Sequence, residues 1–95
     1  MEISAIIKKV AEIIREHLSG EYKILLFGSW AKGNALKTSD IDIGILGEKK
    51  IEWGLMTKIL GKTEEIFTLR KIDIVDLNTV EDSFKNNILK YAKIL

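Results

Sequence analysis

Residues Phe27 to Leu46 read FGSWAKGNALKTSDIDIGIL, and the fold turns on how this stretch is understood. Its tail, Ile41 to Leu46 (IDIGIL), alternates and is rich in β-branched residues, which predicts a strand. Residues two apart in a strand point the same way, so Asp40 and Asp42 share a face while Ile41 and Ile43 enter the core. Their attachment points then lie about 6.5–7 Å apart. Two carboxylates at that spacing repel by roughly 2–3 kcal/mol at an effective dielectric of about 20. A divalent cation is the simplest offset, and Mg²⁺ favours a few carboxylates together with waters and substrate phosphates.

Alone, such a pair is more often the solvated face of an edge strand. Its neighbours in the chain change that balance. Lys71 to Leu77 (KIDIVDL) predicts a third strand in which Asp73 is again an acid between isoleucines. If that strand lies beside the second, Asp73 completes a three-carboxylate cluster. Asp76, three residues on, points to the opposite face and is read as structural or solvent-facing. Ahead of the acids, Gly28 ends a run, Tyr22 to Phe27 (YKILLF), that predicts a buried strand. A glycine there lets backbone come close to a ligand. Ser29 offers a hydroxyl at the start of a short helical turn, where free N–H groups attract anions. Gly33 lets the chain turn back toward Asp40. Gly28 to Gly33 also has the glycine spacing of a P-loop, but Asn34 and Ala35 follow where Lys and Ser/Thr are needed, which argues against a Walker-type NTPase.

The rest of the chain supplies the layers. Ile3, Ile6, Ile7, Val10, Ile13, Ile14 and Leu18 form one apolar stripe of a first helix that Gly20 would stop. After the Gly47–Lys50 turn, a second long helix is expected to bury Trp53, Met56, Ile59, Leu60, Thr63 and Phe67, with Gly54 and Gly61 weakening it. Asn78 and Glu81 have the spacing of a capping box, opening a last helix with Val80, Phe84, Ile88 and Tyr91 inward. Ala92 to Leu95 either extend that helix or form a short edge strand. The expected fold is α/β (α+β): a single domain over residues 1–95, a small mixed sheet with helices packed on it. With 95 residues the core is real but modest.

Composition narrows the classes further. A net charge of +1 argues against a broad nucleic-acid surface, and the absence of cysteine removes disulfides and thiolate metal sites. No run reaches membrane-spanning length and the first residues lack a signal-peptide core, so a cytoplasmic protein with no membrane association is expected.

Gly28-Ser29, ten residues, then Asp40-Ile41-Asp42 resembles the G-S-x(10)-D-x-D pattern of the DNA polymerase β-like nucleotidyltransferase superfamily. The whole stretch, together with IDIVDL, resembles its minimal members, the MNT-domain proteins. The resemblance implies the polymerase β-like nucleotidyltransferase fold. It also implies transfer of a nucleoside monophosphate, usually AMP from ATP, to a hydroxyl, with pyrophosphate released. By the same resemblance Gly28, Ser29, Lys32, Gly33 and Ser39 are nucleotide-binding. Asp40 and Asp42 would bind two Mg²⁺ ions, and Asp73 the ion that activates the acceptor. Many relatives carry arginine where this chain has Trp30. His17, the lone histidine, is read as structural. Minimal MNT proteins resemble antitoxins paired with helical HEPN toxins, which implies a partner tyrosine as acceptor and a homo- or hetero-oligomer. Two other readings stay open: neutralisation by binding alone, with Tyr91, Ile94 and Leu95 in the interface, or transfer to an RNA end or small molecule.

Overall fold

A computed structural model describes residues 2–95. Eight elements follow in the order α1 (Ile3–His17), β1 (Lys23–Phe27), α2 (Ser29–Lys32), β2 (Ile41–Leu46), α3 (Trp53–Glu64), β3 (Ile72–Asp76), α4 (Asp82–Leu89) and β4 (Lys93–Ile94). The strands form one sheet in the order β3-β2-β1-β4. β1 runs antiparallel to both β2 and β4, and β2 runs parallel to β3. A parallel neighbour needs a crossover, which α3 supplies. The expected small mixed sheet with packed helices is therefore the observed one.

Alternation divides the sheet into two faces. Ile24, Leu26, Ile41, Ile43 and Ile45 point to one side and meet Ile6, Val10 and Ile14 of α1 and Ile59 of α3. Burying each such isoleucine contributes about 1.5–3 kcal/mol, and this larger core holds the molecule together. On the other face Leu25 and Phe27 meet Leu77 and Ile88 in a smaller core under α4. Phe84 of α4, expected inward, is instead 45% exposed and meets Phe27 edge-on, with ring centroids 6.4 Å apart.

Three further expectations are corrected. Trp53 and Phe67 are not on the buried face: they are 78% and 89% exposed. α3 ends at Glu64, so Phe67 falls outside the helix whose spacing had placed it. Asn78 does not cap α4, whose N-cap is Glu81 without a side-chain cap bond. Instead Asn78 donates to Asp76 Oδ1 through its own N–H (2.9 Å) and Nδ2 (2.7 Å), and accepts from Gly47 N–H (3.1 Å). Gly54 and Gly61 leave α3 continuous. Of the two alternatives for the C-terminus the edge strand is correct: Leu95 N–H donates to Ile24 O at 2.8 Å. His17 Nδ1 stays within its own helix, 2.7 Å from Ile13 O, in line with a structural role.

Candidate active site

Register places the acids. Phe27 stands opposite Asp42 across β1 and β2, and Asp42 stands beside Asp73 across β2 and β3. Paired residues in adjacent strands point to one face, so Asp73 and Asp42 are neighbours on the side that α4 partly covers. Asp40 lies just ahead of β2, two residues from Asp42, and its charge acts on the Asp42 carboxyl. The small core under α4 takes in Leu46, Val75 and Leu77 at the other end of these strands. Asp42 and Asp73 are half-buried and Asp40 is exposed, so the carboxylates form an open shelf.

Burial, then the charges of Asp73 and Asp40, raise the Asp42 carboxyl above the ordinary carboxylate range, against the pull of Lys71. Lys71 Nζ lies 3.5 Å from Asp73 Oδ1. It is two residues from Asp73, so strand alternation brings the ammonium and carboxylate to the same face. That spacing was visible in the sequence.

Gly28 is fixed twice over. Its φ of +71° is a conformation that L side chains rarely adopt, and an added Cβ would fall 2.2 Å from Asp42 Oδ2. The glycine thus admits the carboxylate itself against the turn. α2 follows at once: Ala31 and Lys32 N–H groups donate to Gly28 O, both at 3.1 Å, so those of Ser29 and Trp30 precede the first helical bond. Gly33 closes α2 with φ +83° and donates to Ser29 O at 3.0 Å.

Trp30 turns away from the acids. Its Nε1 donates to Ser39 O at 3.1 Å, and the Arg70 guanidinium lies 5.8 Å from its ring centre. Arg70 Nε donates in turn to Lys37 O at 2.7 Å. The Ser39 hydroxyl accepts from Leu36 N–H at 2.8 Å. These bonds brace the loop that ends at Asp40, a role the sequence did not reveal. Lys32 Nζ lies 4.7 Å from the centre of the Tyr91 ring, and the Tyr91 hydroxyl accepts from Gly28 N–H at 3.2 Å. Asp76 faces the other way, as its parity requires, and accepts from Ile51 N–H at 2.8 Å.

Among the described residues, no three His, Cys, Asp or Glu side chains are gathered into a ready-made ion cage. The donor set still suits Mg²⁺: oxygen ligands only, with mutually repelling charges on one face and room for waters and phosphate oxygens. A hollow of about 390 Å³ lies elsewhere, lined by Lys9, Ile13, Glu16, Lys62, Glu65, Ile66 and Phe67, and includes none of these residues.

A mixed sheet carrying D-x-D beside a third strand's aspartate, with a glycine–serine turn against it, defines a nucleotidyltransferase domain. Residues 8–95 match the family model described as "Polymerase beta, Nucleotidyltransferase", and the chain belongs to that family. A relative from Methanocaldococcus jannaschii, provisionally named a protein adenylyltransferase, is 31% identical over 97% of this chain and 96% of its own length. A crystal structure of a toxin–antitoxin with AMP-PNP superimposes with a TM-score of 0.67 at 24% identity, covering 92% of this chain and 69% of that one. A tri-AMPylated Shewanella oneidensis HEPN toxin in complex with its MNT antitoxin gives 0.63 at 21% identity, covering 96% and 69%. Both structures share this chain's fold.

Proposed function

We propose that this nucleotidyltransferase moves AMP from ATP to a tyrosine hydroxyl of a helical HEPN-type partner, and thereby acts as the antitoxin of a toxin–antitoxin pair in the cytoplasm. The observation that carries the reading is Asp42, which lies against the Gly28 turn and stands beside Asp73 in the β2–β3 register. The M. jannaschii relative bears a protein adenylyltransferase name, and the S. oneidensis complex pairs an MNT antitoxin with an AMPylated toxin. Among the described residues, no helix is long and apolar enough to cross a membrane.

In this reading Gly28 and Ser29 hold the triphosphate, with Lys32, Gly33 and Ser39 around it. Asp40 and Asp42 would hold two Mg²⁺ ions, and Asp73 would help to hold the one that activates the acceptor hydroxyl. When bound, these ions would offset phosphate charge and make a hydroxyl easier to deprotonate. The partner's tyrosine oxygen attacks the α-phosphorus, its proton leaves to solvent, and the bond to pyrophosphate breaks. The shelf is open, so the partner supplies the acceptor's surroundings.

The test incubates the chain with a HEPN-type helical protein, taken from a neighbouring gene where one encodes it, ATP and Mg²⁺, and reads intact mass. Adducts of one or more AMP units on the partner, absent with D42N and with D73N, are expected. A partner mass unchanged with the wild-type chain overturns the reading. Neutralisation in cells that survives D40N/D42N would instead assign it to binding.

A further inference from the structure

Tyr91 touches two separate parts of the glycine–serine turn. Its hydroxyl accepts from Gly28 N–H at 3.2 Å, and its ring lies 4.7 Å from the Lys32 ammonium. The turn that ends α4 places it there: Tyr91 N–H donates to Ile88 O at 3.1 Å, and Lys93 and Ile94 then pair with Leu26 and Leu25 of β1. The ring packs against both cores, so the hydroxyl sits on a rigid mount.

A phenol that accepts one hydrogen bond still has its own proton to give. A donor polarised by a backbone N–H behind it is a stronger donor. We infer that Tyr91 is a triphosphate-contacting residue: its hydroxyl passes the Gly28 N–H on to a β- or γ-phosphate oxygen while its ring keeps Lys32 over the same turn. This rests on the nucleotidyl-transfer reading above and deepens it. The two functions of the side chain are separable, since phenylalanine keeps the ring and loses the hydroxyl.

The experiment is calorimetric titration of the full chain with Mg²⁺ and α,β-methylene-ATP, which cannot release AMP, beside a titration with AMP. Y91F is expected to weaken binding of the triphosphate analogue about tenfold, the scale of a hydrogen bond to a charged group. Its AMP affinity should stay unchanged, because AMP lacks the β- and γ-phosphates. Y91L, which also removes the perch for Lys32, should lose about threefold more. K32Q should then cost less affinity in the Y91L background than in Y91F. Equal analogue affinity for wild type and Y91F overturns the assignment, as does an equal loss for analogue and AMP, the mark of a purely structural role. If Y91L does not fold, Y91F alone decides. A wild-type chain that binds neither nucleotide overturns the nucleotidyl-transfer reading and this one with it; the other failures leave that reading standing.

Discussion

Replacing Asp42 with asparagine should end the chemistry and make the fold more stable. Asp73 lies beside Asp42 on the next strand, and Asp40 is two residues back along the chain, its charge also acting on Asp42. Backbone spacings of about 4.8 Å across strands and about 6.5–7 Å along one put both charges within reach. At a dielectric of about 20 the cross-strand pair repels by roughly 3.5 kcal/mol and the pair along the chain by roughly 2.5 kcal/mol. Solvent on the open shelf and the Lys71 charge, 3.5 Å from Asp73, reduce this. A net penalty of about 1 kcal/mol remains after that screening. In a domain of this size that shifts Tm by about 4–8 °C. The sign follows from the raised carboxyl. Asp42 holds its proton more tightly folded than unfolded, so its penalty on the fold is absent below the unfolded value of 3.8. It grows as pH rises from there and is complete above the folded value. Urea unfolding followed by circular dichroism in EDTA should give D42N the higher midpoint at neutral pH, with the gap closing at about pH 3.5. Mg²⁺ with α,β-methylene-ATP at ten times its Kd should add about 1.4 kcal/mol to the wild type and far less to D42N. A D42N midpoint equal to or below wild type at neutral pH, with unchanged slope, refutes the electrostatic account.

Other substitutions separate the scaffold from the site. G28A should lose about 3 kcal/mol or more, since it joins a left-handed strain to the overlap with Asp42. G28A/D42G should recover part of that loss in the same urea assay; no recovery means the overlap is not the cause. D76N should cost about 2–3 kcal/mol, because one carboxylate serves Ile51 N–H and both donors of Asn78. Its affinity for the nucleotide analogue should stay at wild type, and a change there would place Asp76 in the site. W30F removes the donor to Ser39 O and should cost about 1 kcal/mol. Limited proteolysis should then cut the 34–39 loop sooner, and equal cutting rates would show that the indole does not brace it.

What the sequence disclosed follows the range of the interactions involved. Strand parity is a local property, so spacing alone sorted Asp42 and Asp73 onto one face and Asp76 onto the other, while Asp40 lies just ahead of β2, outside that rule. The same rule pairs Lys71 with Asp73. Helix ends were harder to read. α3 stops at Glu64 without Gly or Pro: Glu65 N–H already turns to Lys62 O and Thr63 O, and the side-chain spacing continues past the last turn. Asn78 and Glu81 have the right separation for a capping box, but Asp76 and Gly47 claim the asparagine first, and Gly47 is distant in sequence. Trp30 was ambiguous for a like reason. Its position, arginine in many relatives, does not say where an indole goes, and only the return of the loop to Ser39 O and the approach of Arg70 decide its place. Tyr91 had the spacing of a core residue, which in part it is. Its hydroxyl meets Gly28 across 63 positions of sequence, and no periodic pattern encodes that contact.

The two faces of the sheet meet opposite demands. The α1–α3 face carries the stability, and every strand residue on it in β1 and β2 is buried and apolar. The other face gives one end to a small core under α4 and the other to charge. Asp42 and Asp73 stand side by side on β2 and β3, and Gly28, just past the end of β1, lies against Asp42; each contributes something a well-packed core would exclude. A domain with a single large core can carry this burden on one face because the penalty near Asp42 is small beside the burial on the opposite one. The arrangement also sets the direction of approach. β1 closes one side of this pair with the Gly28 turn, while β3 is the outermost strand, so Asp73 borders the open edge of the sheet. A nucleotide held at the turn and an acceptor arriving past Asp73 would meet over Asp42, the residue on which the charges converge.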